Sequence, residues 1–475
     1  MIEGLLLHGV GLQAGDIITS VDGVSLSGLS LEEAVSKVRG PEGSRVTLGI
    51  KRNTTTFEIT VTRKIIDYKT VNGEMLPGNI AYVDVDSFGD NTPGEFSSVI
   101  NDLLNKEEIK GWIFDLRDNG GGLVDTAIDL AGYFIGNGTL AQYKERDWAV
   151  QLYKGEDHGI RFDQPVIFLT NKRSASASEM LSGAVQDHKA ATLIGEKTYG
   201  KGSVQTIYGF NKAVVPEGGY LKVTVARFFT PLGRTINEVG ITPDLKITET
   251  DSLKAAKLLL EGAQPRGNDN TGYIRLKAGP NTFNIELAGI RTEDNWPVYR
   301  EIISSAASKQ LKSGTSKGWK AVAQASQKKL WPLYYPGYVD LKDFLNVPQD
   351  QKFTVGYPTA MDWRDVNNGK VELIEADTGV RVPSSFEVIN KNKITIAPQD
   401  NLKAGTTYWL VVHELTSQSG KKQKGRLAVV TVAGAKEKGI TCLKPEPDKV
   451  AQEKPEFDGA ILRGVRYGDG SPLSH

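Results

Sequence analysis

Pro165-Val166-Ile167-Phe168-Leu169-Thr170-Asn171-Lys172-Arg173-Ser174-Ala175-Ser176-Ala177-Ser178-Glu179-Met180-Leu181-Ser182-Gly183-Ala184-Val185 is the stretch on which the reading of this chain turns. Its first five residues are a short apolar run of the kind that forms a buried strand. From Ala177 onward, Ala177, Met180, Leu181, Ala184 and Val185 recur at helical spacing. Ser176 therefore sits on a strand-to-helix turn, where free backbone N–H groups and the positive end of the helix dipole face whatever its hydroxyl attacks. Ser176-Ala177-Ser178-Glu179 also fits the Ser-x-x-Glu capping box, a device that does no more than start a helix. Alone, that structural reading is the commoner one.

A second segment changes the balance. Lys201 follows Ser176 by 25 residues in Tyr199-Gly200-Lys201-Gly202-Ser203-Val204-Gln205. A hydroxyl is a poor nucleophile at neutral pH, so a base must take its proton, and an amine can do this only where its environment favours the neutral form. The run Ser203 to Tyr208 alternates and is rich in β-formers, which predicts that Lys201, Ser203 and Gln205 share one strand face. Gln205 can then orient the amine without adding charge, and Gly200 and Gly202 permit close backbone approach. Serine and lysine together imply acyl transfer, most simply peptide hydrolysis. Gly195 to Lys201 also matches the first seven positions of a phosphate-binding loop, but Gly202 stands where the magnesium-binding hydroxyl belongs. A strand, not a helix, follows it.

The third constellation is Ile113-Phe114-Asp115-Leu116-Arg117-Asp118-Asn119-Gly120-Gly121-Gly122, an apolar strand ending in charged residues and a glycine run. Such a loop can supply one arm of an oxyanion hole, with Ala177 N–H as the other. It also reads as a tight turn into the helical pattern that starts at Leu123.

Taken in order, Asp-Leu-Arg-x-Asn-x-Gly-Gly, Ser-Ala-Ser-Ala-Ser-Glu, Gly-Lys-Gly-x-Val-Gln and Pro-Leu-Gly-Arg-Thr-Ile-Asn-x-x-Gly-Ile-x-Pro-Asp resemble the carboxyl-terminal processing peptidases across about residues 10–250. The resemblance implies an α/β protease core, ClpP/crotonase-like, with Ser176, Lys201 and Gln205 as catalytic residues. Gly122 and Ala177 would be its oxyanion donors, with Gly121 the competing choice to Gly122. Many members carry proline where this chain has Gly120. No metal or cofactor is implied, and the expected partners are proteins or peptides with exposed C-terminal tails.

The flanks extend the reading to five segments: 1–65, 66–250, 251–345, 346–435 and 436–475. Gly11 to Gly23, an amphipathic Ser30 to Val38 and Val46 to Arg52 resemble a PDZ domain, an α+β unit whose first strand and carboxylate-binding loop have no counterpart in residues 1–10. A PDZ groove takes an extended C-terminus by strand addition, so tail capture is expected to be weakened. After a helix at 252–261 the loop Gln264 to Asn270 marks a boundary. Residues 273–277 and 283–287 alternate as a hairpin, and 296–312 is expected to be helical. Trp319, Trp331, Tyr334 and Tyr335 offer either a binding face or, more commonly, buried packing. Residues 351–433 show short alternating strands and resemble a bacterial immunoglobulin-like sandwich, all-β. The tail from Lys444 reads as a polar linker.

The whole chain has 475 residues, 57 basic and 57 acidic, and 39% hydrophobic residues. Balanced charge without a basic stripe argues against nucleic acid as a partner. A single cysteine, Cys442, leaves no internal disulfide or thiolate cluster, and the five histidines show no ligand spacing. Ser326/Lys329 and Ser419/Lys422 match Ser-x-x-Lys without the companion motifs of penicillin-binding enzymes. No apolar run is long enough for a membrane span or a signal-peptide core, whereas the resemblance implies an extracytoplasmic enzyme. A rival from another class is a non-catalytic envelope scaffold or adhesion protein that binds a cell-wall or surface polymer.

Overall fold

The computed structural model describes residues 11–434 apart from 14, 30, 65–68, 107, 147, 210–219, 263–270 and 365. Residues 1–10, where the first strand and carboxylate-binding loop of a PDZ domain find no counterpart in the sequence, the 264–270 loop and the tail from Lys444 therefore lie outside the described residues.

The centre is a six-stranded sheet in the order Leu245–Lys246, Thr192–Gly195, Val166–Thr170, Gly111–Asp115, Ile80–Val85, Val71–Leu76. Neighbours pair in parallel except at the Val71–Leu76 edge, which runs antiparallel. Gly111–Asp115 and Val166–Thr170 are buried at every position, as parallel strands covered on both faces must be. Alternation sorts their side chains. Trp112, Phe114, Val166 and Phe168 face the helices Thr92–Leu104, Val124–Ile135 and Ala177–Asp187, while Ile113, Ile167 and Leu169 face the other way.

That second face is closed by residues beyond 250. The helix Ser252–Leu260, capped by Asp251 accepting from Leu253 N at 2.9 Å, supplies Leu259 and Leu260. A four-stranded antiparallel sheet, Asn281–Glu286, Tyr273–Ala278, Leu311–Thr315, Gly318–Ala321, supplies Ile274, Leu276, Phe283 and Ile285. The expected hairpin at 273–287 is there. The helix expected over 296–312 stops at Ser305, because Leu311 is fully buried and pairs with Leu276 in the sheet. Tertiary pairing overrides the local helical pattern at that point. Glu301 of the helix Trp296–Ser305 accepts from the backbone of Thr248, Glu249 and Thr250, pinning the last core strand to this layer.

A second antiparallel sheet, Ser203–Gly209, Tyr220–Phe229, Thr139–Glu145, Gln151–Lys154, sits beside the helix layer and packs Val204, Phe228, Leu140 and Ala141 into it. The PDZ-like residues form a four-stranded antiparallel sheet, Val24–Ser25, Ile17–Val21, Arg45–Arg52, Thr55–Thr62, with the helix Leu31–Val38 and a small core of Leu12, Val21, Val46, Leu48 and Ile50.

The C-terminal unit is a sandwich. Val339–Asp340, Arg426–Val432, Thr407–Val412, Val371–Glu375 and Arg381–Val382 form one sheet, and Phe353–Gly356, Lys393–Pro398 and Ser384–Asn390 the other, around Phe353, Leu373, Ile396, Leu410 and Val430. Tyr408 is buried and its hydroxyl accepts from Lys403 N at 3.0 Å, the backward tyrosine bond typical of such sandwiches. Between sandwich and peptidase-side layers lies an aromatic joint. Trp296, Tyr334 and Trp409 lie with ring centroids 4.2–5.3 Å apart, Tyr299 packs on Tyr334 at 4.8 Å, and Trp296 Nε1 donates to Ala376 O at 2.9 Å. Trp331, Tyr334 and Tyr335 are thus buried packing residues, while Trp319 lies under the Arg275 guanidinium at 4.0 Å. None of them forms an open aromatic face.

Candidate active site

Ser176 opens the helix Ala177–Asp187 with φ 58° and ψ −116°, a conformation that costs a residue with a Cβ on the order of 1–3 kcal/mol. This sharp strand-to-helix turn lifts the hydroxyl-bearing residue out of the sheet, the geometry of a nucleophile elbow. Strain of this kind persists only where the surroundings impose it, and they do so with a dense set of polar contacts.

The serines of the motif divide by role. Ser174 is buried, donates to Leu116 O at 2.6 Å and accepts from Asn171 N at 3.0 Å. Ser178 is buried and donates to Asn119 O at 2.9 Å. Both tie the elbow to the glycine loop, whereas Ser176 between them is half-buried.

The loop of residues 117–122 is built to meet the elbow. Asn119 is buried; its Nδ2 donates to Val85 O at 2.6 Å, its carbonyl accepts from Ala175 N at 3.0 Å, and its Oδ1 accepts from Gly121 N at 2.8 Å. Gly121 has φ 98°, and a Cβ there would lie 2.6 Å from Ala175 O and 2.8 Å from Ser176 Cβ. A Cβ on Gly122 would lie 2.2 Å from Phe88 O, but one on Gly120 would meet open space. The Gly121 N–H is thus engaged by Asn119. For Gly122 N–H and Ala177 N–H no acceptor is found among the described residues, which favours Gly122 over Gly121 as an oxyanion donor.

Asp115 and Arg117 anchor the loop from below. Asp115 is buried and accepts from Arg117 N and Nε at 2.9 Å, from Arg117 Nη2 at 2.6 Å and from Tyr82 OH at 2.9 Å. Arg117 also reaches Asp251 at 3.3 Å. Asp118 pairs with Arg173 and Asn171, which hold its carboxyl below the usual carboxylate range. Asp84, opposite Asp115 in the sheet, is pushed up to about 6 by burial and by the neighbouring Asp86 and Asp115.

Glu179 joins the serine and lysine segments. Its carboxylate is 0% exposed. Oε2 accepts from Ser176 N at 2.9 Å and Lys201 N at 2.7 Å; Oε1 accepts from Gly200 N at 2.7 Å and Thr198 Oγ1 at 2.5 Å. Four donors and a helix N-terminus offset the cost of burying the charge. One oxygen atom thus holds the backbone of both Ser176 and Lys201. The Ser-x-x-Glu pattern was legible as a helix cap, but this second pair of contacts was not.

Lys201 is half-buried and precedes the strand Ser203–Gly209. A bulge at Val225 of the neighbouring strand shifts the register between Val204 and Gln205. Val204 points into the core, so Ser203 and Gln205 share the opposite face, and Gln205 is exposed. Residues 230–241 brace the lysine loop: Glu238 N donates to Gly200 O at 2.7 Å, Ile241 N to Thr198 Oγ1 at 2.7 Å, and Arg234 pairs with Asp187 at 2.5 Å at the far end of the Ser176 helix. A Cβ on Gly202 would lie 2.3 Å from Asn237 N, which explains that glycine.

The phosphate-loop match fails structurally, since Gly195 to Lys201 leads from one strand to another. Lys329 is paired with Asp340 and Lys422 with Glu414, each at 2.8 Å, so neither Ser-x-x-Lys match offers an available base.

Residues 79–247 match the model of peptidase family S41, residues 9–52 a PDZ domain model and residues 342–428 a bacterial Ig-like domain model. Residues 79–247 are thus similar to peptidase family S41. All four quoted motifs lie in that matched segment. Over 266 residues the chain is 36% identical to a carboxy-terminal-processing protease of Bartonella bacilliformis, covering 54% of this chain and 60% of that protein. Over 272 residues it is 32% identical to the carboxy-terminal processing protease CtpA of Bacillus subtilis, covering 57% of each. It thus spans less than two thirds of the length of these relatives. Among solved structures, a photosystem II D1 C-terminal processing protease aligns with 29% identity and a TM-score of 0.40, covering 51% of this chain and 65% of that one.

Proposed function

We propose that the chain is a serine endopeptidase that cleaves unstructured or C-terminal regions of proteins without ATP, acting outside the cytoplasm. Lys201, as the neutral amine, takes the proton of Ser176, and Gln205 orients the amine. The Ser176 alkoxide adds to the scissile carbonyl, and Gly122 N–H and Ala177 N–H receive the oxyanion. Collapse expels the new amine terminus, protonated by Lys201, and leaves an acyl-enzyme. Water, deprotonated by Lys201, then releases the acid and restores Ser176. The steps use side chains and backbone alone.

The observation that carries the proposal is the single carboxylate oxygen of Glu179 shared by Ser176 N and Lys201 N. It fixes the two segments together at a strained elbow whose flanking serines are already engaged. Incubation with an unfolded reporter protein tests the reading. The parent is expected to cleave it, and Ser176→Ala and Lys201→Ala to leave it intact; equal cleavage by all three, or none by the parent, would defeat it.

A further inference from the structure

Beside the lysine loop, one face of the small antiparallel sheet carries two adjacent positive charges. Ser203 pairs with Arg227, and Arg227 with Lys144, so these three side chains form one cross-strand row. Val204 and Phe228, in the rows on either side, pack into the helix-layer core, which turns the Ser203 row outward. Arg227 and Lys144 are exposed, and neither makes an ion pair among the described residues. Like charges directly opposite each other weaken an antiparallel pair. The stability of the sheet therefore gives no reason for the arrangement.

Its position suggests one. The row begins two residues past Lys201, at the first residue of the strand that follows it and about 7 Å further along the chain, with Arg227 and Lys144 one and two strands across at spacings of about 4.8 Å. On the same face, the register places Phe229, Gln142 and Leu152 in the adjoining row, nearer the level of Lys201. Phe229 is half-buried and Leu152 exposed, so this row offers two apolar side chains flanking Gln142, whose amide is held by Pro231 O.

We propose that Arg227 and Lys144 form a subsite for the free C-terminal carboxylate of the substrate, with Phe229 and Leu152 under its last side chains. The guanidinium can engage a carboxylate in a fork and the ammonium adds a point charge. An extended peptide advances about 3.3 Å per residue, so a carboxylate on this row lies about two to four residues beyond the cleaved bond. This rests on the peptidase reading above and deepens it: the tail would be read on the S41 domain itself, apart from any capture by the PDZ-like unit.

The test uses two fluorogenic peptides that differ only in ending as a free acid or an amide. The parent, Lys144→Gln/Arg227→Gln and the charge-keeping Lys144→Arg/Arg227→Lys are compared by kcat/KM, with matched thermal melts as the folding check. Charge-assisted contacts of this kind predict a preference for the acid of about tenfold in the parent and in the charge-keeping variant, falling towards one in the double glutamine variant. Binding of the same peptides to full-length Ser176→Ala protein should show the same acid-over-amide preference, again lost with both cations. Equal kcat/KM for the two peptides in the parent, or a preference that survives the double glutamine variant, would overturn the subsite. Absence of all cleavage would strike the peptidase reading instead, and the binding preference would still decide this one.

Discussion

The polar supports of the candidate active site and the aromatic joint are both buried, yet they are held by opposite means. At the elbow, the side chains of Ser174, Ser178, Asn119 and Glu179 satisfy the backbone around a strained residue, and Asp115 holds Arg117 and Tyr82 below it. At the joint, Trp296, Tyr299, Tyr334 and Trp409 interlock as rings, and their few polar atoms find backbone carbonyls. Apolar packing is non-directional and tolerates small shifts. Hydrogen-bonded carboxylates and amides fix atoms to a few tenths of an ångström. The proposed chemistry, which asks for a hydroxyl, an amine and two N–H groups at one point, needs the second kind of order, while a joint between layers needs only the first.

That contrast can be broken from either side. The largest effect on stability is expected at the joint: Trp296→Ala removes a fully buried ring and should cost about 3–5 kcal/mol of unfolding free energy, measured by denaturant titration, while kcat/KM of the folded fraction stays within a few-fold of the parent. A loss of activity beyond the unfolded fraction would mean that the joint shapes the site. Glu179→Gln should do the reverse. Its amide cannot accept from all four donors, so about 2–3 kcal/mol of stability and on the order of a hundredfold in kcat/KM should go together; a near-parental rate would show that the shared oxygen is only a helix cap.

The glycine loop sharpens the same comparison at the scale of one methyl group. Gly122→Ala drives a Cβ into Phe88 O, and is expected to lower kcat/KM about tenfold or more and cost about 2 kcal/mol. Gly120→Ala meets open space and should leave melting temperature and rate nearly unchanged. The pair is read by thermal melts and reporter cleavage, and similar effects at both positions would contradict the geometry.

The smallest effect expected is at Asp84. With its folded value raised from 3.8 to about 6, the folded protein holds that proton more tightly than the unfolded chain, so ionisation weakens the fold. The penalty is absent below about pH 4 and complete above about pH 7. Asp84→Asn should therefore stabilise the protein at neutral pH by about 1 kcal/mol, once screening at this half-exposed position is discounted, and the gain should vanish in acid. A gain independent of pH would point to packing instead of charge.

Much of this was readable from sequence because the local patterns were strong. The strand before Asn171, the helix after Ser176 and the strand from Ser203 follow from periodicity, the sandwich from alternation between turn residues, and the PDZ-like segment from its resemblance to that domain. What could not be read is tertiary. Ser-x-x-Glu explains itself as a cap, so nothing local announces that Glu179 also binds Gly200 and Lys201. Ser174 and Ser178 look equivalent to Ser176 until their acceptors on residues 116 and 119 are seen. The helix predicted through Lys312 ends at Ser305 because Leu311 has a sheet partner 35 residues away, at Leu276. Trp331, Tyr334 and Tyr335 carry no pattern that distinguishes an open aromatic face from a joint.

The central claim is that Lys201 activates Ser176. Mixing the protein with an activated acyl ester, quenching in acid and mapping peptides by mass spectrometry asks this directly. The expected result is an acyl group on the peptide containing Ser176 in the parent and its loss in Lys201→Ala; acylation at another residue, or undiminished acylation of Ser176 without the lysine, would contradict it.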